Sequence, residues 1–304
     1  MTPPNASAPQ NAMAGIGLRI GAASAMALMA ATVKLGATSY GLHPVEMLGW
    51  RFIFALPLTM LFVATRSGGL GLFRTGHKLA HIWRGVLGMV TMGFAYWSLM
   101  LLPLAEATAL SFAAPLFATI LAALLLADRV GWHRWSAIVL GFAGVLFVMQ
   151  PQHSALPAKG LAVAVVAAFL VACVNITIRQ ISRYDPPETT VLWFTTISAL
   201  CLGCVMPFVA EPHTAGEWLL IVCIALFGGT AQMLLTASLS VAPVPVVAPF
   251  DYTQLVWAVT LGWIMFGDLP PATTWTGAAI IVASGLYVLI RERRSSRIVR
   301  VPEG

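Results

Sequence analysis

The stretch Pro103–Pro151, PLAEATALSFAAPLFATILAALLLADRVGWHRWSAIVLGFAGVLFVMQP, joins two apolar runs through a short charged turn, Asp128-Arg129 to His133-Arg134. The first run, Glu106 to Ala127, supplies the roughly 20 apolar residues that cross about 30 Å of hydrocarbon. The second, Trp135 to Gln150, is shorter and leans on interfacial flanks. The stretch reads as a membrane helical hairpin, and it occurs twice. An offset of 140 residues pairs Pro103 with Pro243, Phe112 with Tyr252, Phe117 with Trp257, Asp128 with Asp268 and Trp135 with Trp275.

Composition agrees with this reading. Of 304 residues, 59% are hydrophobic and 9% charged, and mean hydropathy is +0.86. A water-soluble globule typically carries about 25% charged residues, so the chain is expected to be polytopic in the membrane. The run after Gly15 continues to Tyr40 and exceeds the roughly 7 to 15 residues of a signal-peptide core, so it reads as an uncleaved first helix. Cys173, Cys201, Cys204 and Cys223 all fall in apolar segments and read as small buried hydrophobes, despite the C-x-x-C spacing of the middle two.

Apolar segments centre on residues 17–40, 45–65, 82–102, 106–127, 135–150, 160–181, 189–209, 217–240, 244–266 and 273–290. The expected fold is all-α, ten transmembrane helices. A polar tail occupies 1–14, one five-helix unit 15–150, a second 158–291, and a basic tail 292–304. With a cytoplasmic N-terminus, fourteen Lys and Arg residues, Arg19 and Arg84 among them, fall on the inner side and only Lys159 in an outer loop, with Lys34 and Arg51 inside segments. The positive-inside rule then places both termini in the cytoplasm, in a cell inner membrane. The net charge of +6 is explained by anionic headgroups and not by nucleic acid. Because matched residues are separated by five crossings, an odd number, the two units lie in opposite orientations, the inverted repeat of many secondary transporters.

Several polar residues stand out in apolar runs. Arg51 faces either an anionic solute group or the outer end, where it snorkels or pairs with Glu46; Lys34 has the same choice, with snorkelling favoured by its flexible stem. Asp251, inside the ninth segment, either holds a solute cation or a coupling proton, or is the structural partner of an arginine or a backbone dipole. Gly228, Gln232, Thr236 and Ser240 form a polar stripe at four-residue spacing, of which Gln232 is larger than close packing requires. Asn175 is either interhelical glue or a hydrogen bonder to solute. Trp50, Tyr96, Trp97, Phe112, Trp193 and Tyr252 read singly as core or interface, and as a set as flat walls for a heteroaromatic solute. Gly85, Gly88, Gly93, Gly141 and Gly144 are expected at close helix contacts. Pro115 is expected to bend the fourth helix, with Pro249 bending the ninth at a different level.

Two further functional classes have requirements of their own. A lipid-modifying membrane enzyme needs a nucleophile with its base, or paired acids; His77 and His81 share a helical spacing but stand in a basic loop with no acidic neighbour in sequence. A receptor or scaffold has no need of the duplication. No Gly-rich nucleotide loop or metal-ligand cluster is written in the sequence, so neither metal nor cofactor is expected.

The motifs Leu102-Pro103-Leu104-Ala105, Ala107-Thr108, Ser111-Phe112, Pro115-Leu116-Phe117, Leu126-Ala127-Asp128-Arg129 and Gly141-Phe142-Ala143-Gly144-Val145, with Ala248-Pro249-Phe250-Asp251-Tyr252 in the second copy, resemble the EamA type of the drug/metabolite transporter superfamily. The likeness runs from about Gly15 to Arg291 and is densest toward the subgroup with S-adenosylmethionine uptake and riboflavin transporters. The family's Gly-Glu after the fourth helix is Ala127-Asp128 here, and Gly267-Asp268 after the ninth. The resemblance implies a secondary transporter for a small organic metabolite working by alternating access.

Overall fold

The computed structural model describes residues 11–64, 71, 73–125, 132–149 and 156–298, and among these every regular element is helical. The Asp128-Arg129 turn, the link at 151–155 and the side chains of the basic tail lie outside the described residues. Helix α1 spans Ala12–Ser39, α2 Pro44–Ala64, α3 Lys78–Leu101, α4 Leu104–Ser111, α5 Ala114–Leu125 and α6 Trp132–Met149. In the second half, α7 spans Ala158–Ile181, α8 Pro187–Val209, α9 Ala215–Val241, α10 Val244–Val247, α11 Thr253–Phe266 and α12 Ala272–Ile298.

Local chemistry sets the ends. The Asn11 side chain accepts from the Ala14 amide at 3.1 Å, which starts α1 earlier than its apolar run. Thr214 and Glu217 form a reciprocal capping box that fixes the start of α9. Proline opens α2 and α8, where its missing N–H costs nothing. Helix α11 stops at Gly267, whose φ of 71° is the left-handed geometry that glycine adopts without strain.

The fourth and ninth crossings, expected to bend at Pro115 and Pro249, are broken outright into separate helices. Pro115 has no N–H for the Ser111 carbonyl, so α4 ends there and Phe112 and Ala113 form a turn closed by amide bonds to Ala109 and Leu110 at 3.2 and 3.0 Å. In the second half Pro249 has no N–H for the Pro245 carbonyl, and Ala248–Tyr252 tightens into a 3-10 turn between α10 and α11. Contrary to expectation, the two breaks end at one level of the repeat. Pro115 lies just after its turn and Pro249 inside the other, so Phe112 and Tyr252, paired by the offset, both stand at a break.

Contacts between the halves come in exchanged sets. Helix α1 packs on α9 as α7 packs on α3; α2 packs on α9 as α8 packs on α3; α1 packs on α11 as α7 packs on α5. The pairs α2–α8 and α6–α12 join equivalents directly. Helices α6 and α12 cross at Gly144 and Gly277, where a Cβ on either would come within 2.8 or 2.6 Å of the other's carbonyl oxygen. Gly85 is likewise packed, against Ile197, whereas a Cβ on Gly93 would meet nothing within 4 Å among the described residues.

Six helical stretches among the described residues are long and apolar enough to cross a membrane, accompanied by the shorter apolar runs Trp135–Met149 and Ala272–Val288. Leu125, Leu140, Phe147, Leu200, Phe208 and Ile264 present their side chains outward. Such a belt fits hydrocarbon, and the protein is an integral membrane protein. Cys201 and Cys204 are exposed on α8 with free thiols, not buried as expected.

Candidate substrate-binding site

Helices α2, α8 and α9 enclose a pocket of about 690 Å³ including its mouth. Arg51 and Phe52 contribute from α2, Phe194 from α8, and Gly228, Gln232 and Thr236 from α9. Three members of the α9 polar stripe therefore face one cavity, and Ser240, whose hydroxyl bonds back to Ala237, does not line it.

Arg51 is 6% exposed and does not snorkel to the surface of the bundle. Its Nη1 donates to Met92 Sδ at 3.1 Å and to Tyr96 Oη at 3.4 Å, and the guanidinium lies 5.4 Å from the Phe52 ring centre. Among the described residues no carboxylate reaches it. A cation taken out of water costs several kcal/mol unless paired, and thioether and phenol oxygen are weak acceptors. Gly228 makes the position possible, since a Cβ there would stand 2.6 Å from Arg51 Nε. Glu46, offered by sequence as a partner, instead accepts from the Glu211 amide at 3.0 Å and lies 2.8 Å from His213 Nε2.

Asp251 has an arginine partner: Arg19 Nε and Nη2 grip its two carboxylate oxygens in a two-point ion pair. Arg19, counted by sequence among the inner-side charges, is buried in α1. The acid sits in the 3-10 turn instead of mid-helix, with its side chain 38% exposed. Lys34 does not snorkel; it is 7% exposed, its Nζ donates to the Leu102 carbonyl at 2.8 Å and lies 5.3 Å from the Phe266 ring centre.

The aromatics divide. Tyr96 meets Arg51, and Phe112 meets Tyr252 with ring centres 4.8 Å apart. Trp50 packs against Trp218 and Phe54, and Trp193 stacks on His81; both indole N–H groups are buried without a partner among the described residues. Trp97 lies under Lys159 at 5.0 Å. Trp50, Trp97, Trp193 and the exposed Asn175 are not part of the pocket lining.

Some groups escaped the sequence reading. Arg84, counted as an inner-side charge, is buried in α3 over the Phe194 ring at 4.4 Å, with Nε and Nη1 unpartnered among the described residues. His81 does have an acid: Asp185, in the bend between α7 and α8, lies 3.0 Å from its Nε2, with His77 Nδ1 at 3.9 Å. The Thr75 hydroxyl donates to the same oxygen at 2.7 Å, and this bond, with the His81 contact, holds the Asp185 carboxyl below the usual carboxylate range against a desolvation that pushes it up. The acid was not legible because it lies 104 residues away in sequence. Glu46 thus ties the start of α2 to the segment after α8, and Asp185 ties the bend before α8 to the start of α3.

Comparison with known proteins places this architecture. A solved crystal structure superposes with a TM-score of 0.63 at 19% identity, covering 90% of this chain and 97% of the other, so the two share a fold. A protein of Vibrio cholerae named riboflavin transporter is 29% identical over 275 residues, covering 90% of this chain and 92% of its own. A riboflavin transporter of Rhizobium johnstonii is 30% identical over 258 residues, covering 82% and 80%. An S-adenosylmethionine uptake transporter of Rickettsia prowazekii is 26% identical over 255 residues, covering 84% and 85%. The model of the EamA-like transporter family matches twice, over residues 13–150 and 158–290, and the chain belongs to that family of small-molecule transporters.

Proposed function

We propose that the protein carries a small heteroaromatic metabolite rich in hydrogen-bond acceptors, with riboflavin the first candidate, across a bacterial inner membrane by alternating access. The observation that carries this reading is Arg51: a buried guanidinium without a carboxylate partner among the described residues, facing a pocket built by both halves. Its planar fork suits adjacent carbonyl oxygens of a ring or a carboxylate. Phe52 and Phe194, whose ring centres are 5.2 Å apart, offer apolar faces beside it, and Gln232 adds an amide. The residues 15–150 and 158–291 are the two inverted halves, both termini face the cytoplasm, and the basic tail lies against anionic headgroups.

S-adenosylmethionine is the second reading, since its carboxylate also suits Arg51. Its sulfonium calls for a free acid, and Asp251 is engaged by Arg19. Proteoliposomes given labelled riboflavin and, separately, labelled S-adenosylmethionine test the choice. Saturable riboflavin uptake, lost in Arg51→Gln, is expected; uptake of S-adenosylmethionine alone, or of neither, overturns the riboflavin reading.

A further inference from the structure

Helices α3, α4, α11 and α12 meet α1 around a second buried polar cluster, away from the Arg51 pocket. Glu106, in the first turn of α4, is 2% exposed. Its Oε1 accepts from the Thr274 hydroxyl at 3.1 Å, and its Oε2 is buried without a hydrogen-bond partner among the described residues. The charged groups facing it are Lys34 from α1 and Asp268 from the bend between α11 and α12; among the described residues, neither makes an ion pair with it. Lys34 is close enough to act on Glu106 by its charge, yet its ammonium donates to the Leu102 carbonyl at the corner between α3 and α4.

Were Glu106 ionised, this arrangement would be costly. A buried carboxylate with only neutral hydrogen bonds and a bare oxygen carries a desolvation penalty of several kcal/mol, and a lysine within charge range would be drawn to it in preference to a neutral carbonyl. The observed contacts are those of a neutral acid, whose second oxygen carries a proton, beside a lysine left free to bind elsewhere. We propose that Glu106 is a proton-binding site and that Lys34 is its switch partner. Loss of the proton breaks the O–H bond, delivers the proton to water, and leaves a carboxylate on Oε1 and Oε2. Lys34 keeps its charge and moves from the Leu102 carbonyl to that carboxylate. The Leu102 carbonyl is then released at the residue preceding Pro103, where the short helix α4 begins, so protonation is tied to the position of the α3–α4 corner. On the transport reading above, this is the site that would hold a coupling proton, the role that Asp251 leaves vacant by pairing with Arg19.

The test is infrared spectroscopy of the purified full-length protein across a pH titration, read at the C=O stretch of protonated carboxylic acids. A band present at neutral pH in the wild type is expected to vanish in Glu106→Gln and persist in Asp251→Asn. Thr274→Val, which deletes the hydroxyl donor to Oε1, is expected to move the band to higher wavenumber. Lys34→Met, which removes the switch cation, is expected to keep the band to higher pH. A neutral-pH spectrum in which Glu106→Gln is indistinguishable from the wild type overturns the proposal, and so does a band that Thr274→Val leaves in place. The measurement uses no solute: its failure removes the proton site alone, whereas failed riboflavin uptake removes the substrate reading alone.

Discussion

Phe112 and Tyr252, 140 residues apart in the chain, face each other in the bundle with ring centres 4.8 Å apart and planes inclined by 58°. Each stands at a break in its crossing, and the Tyr252 hydroxyl fills the space a Cβ on Gly285 would take. An aromatic pair of this kind is worth about 0.5–1.5 kcal/mol beyond its buried area. A thermal-stability cycle of Phe112→Ala, Tyr252→Ala and the double variant in detergent is expected to return a coupling of that size. Additive losses would show that the rings meet without stabilising the junction.

Arg51→Lys is expected to weaken solute binding by about tenfold or more, because an ammonium has no planar fork for two parallel hydrogen bonds. Thermal stability is expected to hold, since lysine keeps the charge and most of the stem. Saturation binding checks this, and an unchanged affinity would move the recognition site away from Arg51.

Arg19 and Asp251 are tested by reversal. Asp251→Asn leaves a buried guanidinium without its acid and is expected to lower both stability and uptake. Arg19→Asp with Asp251→Arg restores the pair with its polarity exchanged. Recovery in the double variant marks a structural clasp; a double variant as inactive as Asp251→Asn assigns the carboxylate a role at that position.

The Asp185 cluster makes stability depend on acid. Its carboxyl is held below the usual range, chiefly by the Thr75 hydroxyl and then by His81. The stabilisation is therefore complete above the unfolded value of about 3.9 and is lost as pH falls through the lower folded value. Melting temperature measured from pH 6 downward is expected to drop more steeply below pH 4 in the wild type than in Asp185→Asn. Parallel curves would show that the cluster contributes nothing.

Orientation is tested with single cysteines at Gly76, beside open space, and at Gly216, in ordinary contact with Tyr40, each in a cysteine-free background. An impermeant thiol reagent on intact cells is expected to label position 216 and spare position 76. Labelling at 76 reverses the proposed topology.

How far the sequence could be read depends on the range of the interaction involved. Hydropathy, proline and the 140-residue offset are properties of neighbouring residues or of the chain compared with itself, and they were enough for an all-helical membrane bundle with matched hairpins. Even the break in the fourth crossing was foreseeable from Pro115, because a proline acts on the carbonyl four residues before it. The level shared by the two breaks was not, since Pro115 and Pro249 sit differently about their turns.

Partnerships of charge followed another rule. Asp251 was legible as a costly acid, but Arg19 lies 232 residues away and was taken for an inner-side charge. His81 and Asp185 are 104 residues apart, and Glu46 and His213 are 167. Burying a charge sets a demand that local sequence makes visible; which group meets it is decided only when helices pack side by side. Tertiary structure therefore decided that Arg51 is left without a carboxylate partner among the described residues, that Lys34 turns to a backbone carbonyl, and that Glu106 keeps a bare oxygen in the protein interior.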